Sequence, residues 1–274
     1  MARTRYSQSA LWDPTGTRRL TREYERDLIR LVDSYGKTVV QSIEILASRS
    51  PPYLMEEGLP DLRIMESPVT ISPKDLTETI DEINQEANMR GSAVVEEHIP
   101  KAYKAGKRFA AMELGKVGIN VSVSEGRQDL NAADWRTIDW LRARNTSYIK
   151  GMTDEMGKKL ITTLEEGIRG GEGIPKLTAR VRDVTNSGRS SAERIARTEH
   201  MYAVNQGSLV RYAQYGVMKV KWLAGGDPPR CCDTCMDRDG HVYEIQEVPP
   251  IPAHPNCRCT TTPVIEIPGK SKPG

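Results

Sequence analysis

A cluster of cysteine and histidine residues carries the clearest chemistry in the sequence. All five cysteines lie between residues 231 and 259, in two short segments at 231–235 and 254–259. Zinc takes four sulfur or nitrogen donors in a tetrahedron, and Cys232-x-x-Cys235 supplies two of them from one turn. An odd, clustered set of thiols in a reducing compartment favours metal binding over disulfides. We therefore predict one zinc ion, with buried free thiols or a disulfide as the alternative.

The predicted zinc ligands are Cys232, Cys235, His254 and Cys259, with Cys257 as the alternative to Cys259. Two cysteines one residue apart on an extended chain point to opposite sides, so only one of Cys257 and Cys259 is expected to bind. Cys231 stands beside Cys232 and is the expected spare thiol. Catalytic zinc keeps an open position and often uses a His-Glu-x-x-His motif, which this set lacks. The zinc is therefore predicted to be structural.

The elements around this cluster are predicted from hydrophobic periodicity. The pattern indicates helices from Thr21 to Leu46, from Pro73 to about Leu114 with a break near Pro100, after a capping Asn131, from a capping Thr153 to Gly170-Gly171, from Ile174 to Val184, and from Ser190 to Tyr215. Alternating residues indicate strands at 218–222, 241–243 and 261–265, while residues 119–123 fit a short strand or an ordered loop. The predicted fold class is α+β, mainly helical, closing in a small β-rich zinc knuckle.

The length of 274 residues favours two domains. We predict a basic N-terminal arm at 1–20, a helical attachment domain at 21–115, a C-terminal domain at 130–265 and a flexible tail at 266–274. The zinc knuckle is placed at 227–262, inside the C-terminal domain. A short, proline-rich knuckle cannot bury a core of its own, so metal binding is expected to hold it folded.

An ordered succession of motifs resembles the C-terminal domain of Mu F-like phage head-morphogenesis proteins. The residues that carry it are the run 193–199 (Glu-Arg-Ile-Ala-Arg-Thr-Glu), Asn205, Gly207, Tyr212, Gly216-Val217, Trp222, Asp227, Arg230, Cys232, Cys235, Gly240 and the run 254–259. The resemblance spans roughly residues 130 to 265. Cys231 and Pro228-Pro229 depart from the family's pattern, and Cys231 leaves the ligand set open.

The resemblance implies a minor head protein of a tailed bacteriophage. Such a protein is expected at the portal vertex inside the capsid, after assembly in the host cytoplasm, and to act in head assembly and in DNA packaging or ejection. Its expected partners are the portal protein, packaged double-stranded DNA and other head proteins, with no membrane and no small-molecule substrate. No enzymatic activity is expected.

The family-like motif also contains residues predicted to be structural. They are Arg194, Arg197, Thr198, Glu199, Asn205 and Trp222. Glu199 falls on the more apolar side of its helix, so a buried, paired glutamate is favoured over a catalytic one. Arg180 or a backbone amide of the knuckle is its suggested partner. Asn205 is expected to bind the backbone of an adjoining loop.

The N-terminal segment is basic. Arg3, Arg5, Arg18, Arg19 and Arg22 are opposed in the first 22 residues only by Asp13. Such an arm can neutralise phosphates, so these arginines are candidate DNA contacts, and a solvated tail is the equal alternative. The charged run from Lys104 to Arg108 is interpreted as an exposed face.

Charge and hydropathy limit the other function classes. The net charge is +2, too small for a long-range field that would itself argue for nucleic acid. No run of about 18 apolar residues exists to span a membrane. The alternative function is a zinc-ribbon nucleic-acid-binding protein, which predicts a stronger basic surplus around the cysteines than the sequence has.

Overall fold

The computed structural model describes residues 13–49, 68–121, 130–226 and 231–265. Within these ranges the chain is mainly helical and contains one small sheet, which confirms the predicted fold class. The elements are helices α1 (Arg18–Arg49), α2 (Pro73–Lys116), α3 (Ala132–Arg169), α4 (Ile174–Gln214) and α5 (Asp233–Asp237), and strands β1 (Lys219–Leu223), β2 (Val242–Glu244) and β3 (Thr260–Val264).

Side-chain caps begin two of the long helices, as predicted. Before α2, the Ser72 hydroxyl accepts a hydrogen bond from the backbone N–H of Asp75 at 3.0 Å. Before α3, the Asn131 side chain accepts from the N–H of Asp134 at 3.0 Å, and the Asp134 carboxylate accepts from the N–H of Asn131 at 3.0 Å. These bonds satisfy amides that have no partner within the helix.

The predicted break at Pro100 is wrong, because α2 runs continuously through it. Proline removes one backbone donor and crowds the preceding turn. Ile99, Ala102 and Tyr103 are fully buried around it, so packing on both sides of the proline holds the helix. Tertiary contacts here outweigh the local preference.

Two further predicted boundaries are also wrong. The Thr153 hydroxyl donates to the Lys150 carbonyl at 2.9 Å and to the Asn88 side chain at 2.6 Å, instead of capping a new helix. Ser190 likewise bonds the carbonyl of Asn186 within α4. A hydroxyl that returns to the preceding turn is compatible with a helix interior. The helix ends predicted at glycines are confirmed, since Gly171 and Gly216 have φ values of +72° and +73°.

The three strands form an antiparallel sheet in the order β2-β1-β3. Val220 and Trp222 in β1 are buried, whereas Lys219 and Lys221 are half-buried, as the alternation predicts. Met218, the first residue of the predicted strand at 218–222, precedes β1 and is 63% exposed. Val220 packs in one apolar cluster with residues of α2 and α4, and this contact fixes the sheet to those helices.

The described residues fall into two compact units. The first unit contains the chain up to Tyr24, Glu96–Arg144 and Arg194 onward; the second contains Glu25–Val95 and Asn145–Glu193. Each unit therefore combines separate segments of the sequence. The predicted domain boundaries concern which segments fold independently, and they stay predictions.

Candidate metal centre

The first half of the cluster is a tight turn after β1. The backbone N–H groups of Cys235 and Met236 both donate to the Cys232 carbonyl, at 3.1 and 3.0 Å. These bonds start the short helix α5 and turn the Cys232 and Cys235 side chains to one side. Cys235 is buried and Cys232 is exposed. Residues 227–230, which belong to the predicted knuckle, lie outside the described residues.

His254 brings an imidazole to this turn from the following loop. Its Nε2 atom lies 3.2 Å from Cys232 Sγ and 3.3 Å from Cys235 Sγ. Its Nδ1 atom lies 2.8 Å from the Pro255 carbonyl oxygen, which can only accept a hydrogen bond. Nδ1 therefore carries a proton, and Nε2 is the ring nitrogen that faces the two sulfurs. Metal-binding histidines are oriented by such a second hydrogen bond.

The remaining cysteines surround Cys235. Cys257 Sγ lies 3.8 Å from Cys235 Sγ, and the sulfurs of Cys231, Cys235 and Cys259 lie within 4.8 Å of one another. Around a tetrahedral zinc with bonds of about 2.3 Å to sulfur and 2.0 Å to nitrogen, neighbouring donors are about 3.5–3.8 Å apart. The spacing and the soft donors fit such an ion. The Cys/His cluster (Cys231, Cys232, Cys235, His254, Cys257 and Cys259) can therefore hold a metal.

The structure brings three of the predicted ligands into one group, Cys232, Cys235 and His254. Cys259 instead groups with Cys231, the thiol that the sequence suggested was spare, and with the shared Cys235. Both Cys257 and Cys259 are buried beside Cys235 because the chain before Thr260 is not a regular strand, and Asn256 has a φ of +64°. The alternation argument therefore does not apply there, and the choice of ligands stays a prediction.

The thiols of the cluster differ in acidity. A hydrogen bond from the Cys259 thiol, together with backbone N–H groups, lowers the pKa of Cys257. Burial raises the pKa of Cys235, and the neighbouring Cys257 thiolate, followed by burial, raises that of Cys259. Because a metal binds thiolates, binding must displace protons from these buried thiols. Metal affinity should therefore fall in acid.

Polar contacts attach this region to α4. The Asn205 amide donates to the Cys259 carbonyl at 3.0 Å and accepts from the Thr260 hydroxyl at 2.8 Å. The Thr198 hydroxyl accepts from the Asn256 N–H at 3.0 Å. The predicted role of Asn205, binding the backbone of an adjoining loop, is confirmed. These bonds fix the loop that presents His254 and Cys257.

Glu199 is buried and paired, but not with the residue suggested from the sequence. Its carboxylate oxygens accept from Arg144 Nε at 2.8 Å and from Arg144 Nη2 at 3.1 Å. Arg180 instead pairs with Glu172. Arg144 also lies 4.5 Å from the centre of the Tyr202 ring, so a cation–π contact holds the guanidinium further. Of the neighbouring motif residues, Arg194 is exposed and Arg197 is half-buried.

Trp222 is fully buried and forms the apolar side of the cluster. It packs with Ala224, Ile251 and three of the cysteines, and Arg238 lies 5.3 Å from its ring centre. The motif residue of β1 therefore lines the same small core that contains the thiols.

The predicted basic arm is described only in part. Arg3 and Arg5 lie outside the described residues. Arg18, Arg19 and Arg22 are exposed on the first turns of α1, and Arg19 pairs with Glu23 at 3.3 Å.

A buried ion pair was missed by the sequence analysis. Lys107 was interpreted as exposed, yet its ammonium donates to Asp134 at 2.6 Å, and both side chains are at most 1% exposed. Tyr103 donates to the same carboxylate at 2.7 Å. Burial raises the pKa of Asp134, but the hydrogen bonds from Lys107 and Tyr103 outweigh it and keep the carboxyl ionised. A lysine in a charged run gives no signal of this kind, because its partner is distant in sequence.

Comparison with known proteins gives one family match. Residues 158–262 match the family described as Phage Mu protein F like protein. The match covers less than half of the chain, contains the whole cysteine cluster and begins after residue 130, where the resemblance was expected to start. No curated protein and no solved structure matches the chain. Among the described helices, none has the length and apolar character needed to cross a membrane.

Proposed function

We propose that the chain is a minor head protein of a tailed bacteriophage, because residues 158–262 match the family described as Phage Mu protein F like protein. The family match carries this proposal, and it supports a head-morphogenesis role and a place in the virion. The proposed location is the portal vertex inside the capsid. The proposed role is in head assembly and in DNA packaging or ejection.

The contacts and burial of Glu199, a glutamate of the family-like motif, support a structural rather than a catalytic role. Both oxygens of Glu199 are bound by the Arg144 guanidinium, and its side chain is 4% exposed. A general acid or base must reach its substrate. Glu199 instead holds α3 against α4 within the first unit.

The proposed metal is a structural zinc in the Cys/His cluster. The apolar core around Trp222 is small, and three of its buried members are cysteines. A metal held by those thiols would fasten the turn at 231–235 to the loop at 254–259 and stabilise a region that has little other core.

The proposed partners are the portal protein and packaged DNA. The apolar stripe of α1, which includes Leu28, Val32 and Val39, lies in the predicted attachment domain but is buried within the chain. Portal attachment must therefore use other surfaces. The exposed Arg18, Arg19 and Arg22 support a DNA contact by the N-terminal region, since arginines can neutralise phosphates.

The alternative, a zinc-ribbon nucleic-acid-binding protein, is opposed by local charge. Residues 231–265 contain five acidic side chains and only two basic ones, Arg238 and Arg258. Nucleic-acid affinity depends on neutralising phosphates with basic residues. A metal module with an excess of acidic residues is therefore poorly suited to bind nucleic acid.

The role is tested by deleting the gene in the phage and by analysing purified virions. We expect the protein in mature particles and reduced head yield or infectivity in its absence. Virions without the protein, together with a deletion of normal yield and infectivity, would falsify the proposal. A portal pull-down should survive salt that strips DNA, because exposed charges are screened more than packed contacts.

A further inference from the structure

The Cys/His cluster contains more metal donors than one ion can use. Zinc in a structural site takes four ligands, whereas six donor residues meet here. Five of them form two groups of three that share one sulfur: Cys232, Cys235 and His254 make one group, and Cys231, Cys235 and Cys259 make the other. A single ion bound by the first group would leave Cys231 and Cys259 without a role.

Cys257, the sixth donor, lies beside the sulfur that the two groups share. Its sulfur lies 3.8 Å from that of Cys235, which belongs to both groups, and it is two residues from Cys259, a member of the second group. Cys235, Cys257 and Cys259 are all buried, at 1%, 2% and 1% exposure, whereas Cys231 is half-buried and Cys232 is exposed. The Cys235 sulfur therefore reaches donors on each side, and the Cys257 sulfur is next to it.

We propose that the Cys/His cluster binds two divalent metal ions such as Zn²⁺, bridged by the thiolates of Cys235 and Cys257. Cys232 and His254 complete the coordination of one ion, and Cys231 and Cys259 complete that of the other. This deepens the proposed function and rests on the metal binding assumed there. It changes Cys231 from a spare thiol into a ligand.

The stoichiometry of ligands and charges agrees with this arrangement. Six donors serve two four-coordinate ions when two thiolates are shared, as in the Zn₂Cys₆ modules of DNA-binding proteins. Five thiolates carry about five negative charges, and two divalent ions compensate four of them, whereas one ion compensates only two. Thiolates in a buried site must be paired with positive charge or be protonated. The second ion therefore removes most of the free-energy cost of burying the thiolates that one ion would leave unpaired.

The direct test is the metal content of the full chain, purified under reducing conditions with zinc and measured by elemental analysis. We expect two zinc ions per chain. A content of one overturns the bridged pair but keeps the structural zinc of the proposed function. A content of zero overturns both, so the two failures are distinguishable.

A pair of variants sharpens this test. Cys231→Ser should lower the content from two ions to one, because only the second ion uses Cys231. His241→Gln, a change of the exposed histidine outside the cluster, should leave two ions. A Cys231→Ser protein that keeps two ions would overturn the ligand assignment.

A readout that needs no variant is titration of the metal-free full chain with Co²⁺. Thiolate-to-cobalt charge-transfer absorption should rise until two equivalents are bound, with magnetic coupling between bridged ions at the second equivalent. A plateau at one equivalent would contradict the proposal.

Discussion

The two compact units differ in what they bury. Among the described residues, the buried charged side chains, Lys107, Glu113, Asp134, Glu199 and Arg211, all lie in the first unit, as do the buried histidines His98 and His200. In the second unit the buried polar residues are Asn145, Thr153 and Thr185, none of them charged. Buried charges must be paired in one geometry. The unit that carries the metal module is therefore the one with the stricter demands on its interior.

The close contacts of glycine show the same difference. In the first unit, a Cβ on Gly106 would lie 1.9 Å from the Val204 carbonyl oxygen, and one on Gly207 would lie 2.2 Å from that of Tyr103. In the second unit, a Cβ on Gly188 would meet the Met156 side chain. Backbone cannot move aside as a methionine can. The first unit is thus fixed by backbone packing and buried ion pairs, and the second by side chains that can adjust.

Loss of the metal should have the largest effect, and it should be confined to the module. Cys235→Ser removes the sulfur shared by both donor groups. Structural zinc sites contribute about 10–16 kcal/mol in small peptides, so the segment after Trp222 should lose its fold. We expect zinc release and protease cleavage there, while the helical circular dichroism persists. A global loss of helix would show that the helices depend on the metal.

Breaking the buried ion pair should be next in size. Lys107→Met leaves the Asp134 carboxylate buried without its cation, which typically costs about 3–5 kcal/mol. Chemical denaturation measures the free energy of unfolding. The matched control is Lys101→Met, whose exposed pair with Glu97 should be worth less than about 1 kcal/mol.

A double variant tests whether charge is the reason for that loss. Lys107→Met combined with Asp134→Asn removes both charges, and part of the lost stability should return. If the double variant is as unstable as the sum of the two single variants, the pair contributes packing rather than charge neutralisation.

Glycine substitutions compare the two units directly. Gly106→Ala forces a methyl group against a backbone carbonyl and should destabilise by about 1–3 kcal/mol or more. Gly188→Ala should cost less, because Met156 can change rotamer. Gly115→Ala, in the same helix as Gly106 but with open space around it, should be neutral or stabilise by about 0.5–1 kcal/mol. Equal losses at Gly106 and Gly188 would remove the distinction between the units.

Sequence patterns predicted where helices form better than where one helix is broken from the next. Helical periodicity, the caps at Ser72 and Asn131, and the stops at Gly171 and Gly216 all have local causes, and the structure confirms them. The breaks expected at Pro100 and Thr153 are absent because distant residues, such as Asn88 at Thr153, stabilise a continuous helix. Local preference is weaker than such packing.

The candidate site shows the same limit. The Cys-x-x-Cys and His-Pro-Asn-Cys-Arg-Cys motifs located the cluster, since metal donors must be close in space and are often close in sequence. Cys231 was interpreted as the spare thiol because it stands directly beside Cys232. In the structure, the sulfur of Cys231 lies within 4.8 Å of the sulfurs of Cys235 and Cys259. The partner of Glu199 was likewise out of reach of sequence reasoning, because Arg144 is 55 residues away.

The smallest expected effect is a pH dependence of the unfolding free energy, and it arises from His200, a residue of the first unit. His200 is 1% exposed and neither ring nitrogen has a hydrogen-bond partner among the described residues. Burial, followed by the charges of His98 and Arg258, lowers its pKa from 6.5 to about 3. A lowered pKa means that the unfolded chain binds the proton first, so the stability is full above pH 6.5 and is lost as pH falls toward 3. Between pH 7 and pH 6 this one proton should cost about 0.7 kcal/mol of unfolding free energy.

Denaturation of the zinc-saturated protein at both pH values should show this loss, and His200→Leu should abolish it. A variant with an unchanged pH dependence would mean that His200 is already protonated in the folded protein, or that other groups carry the acid sensitivity of the first unit.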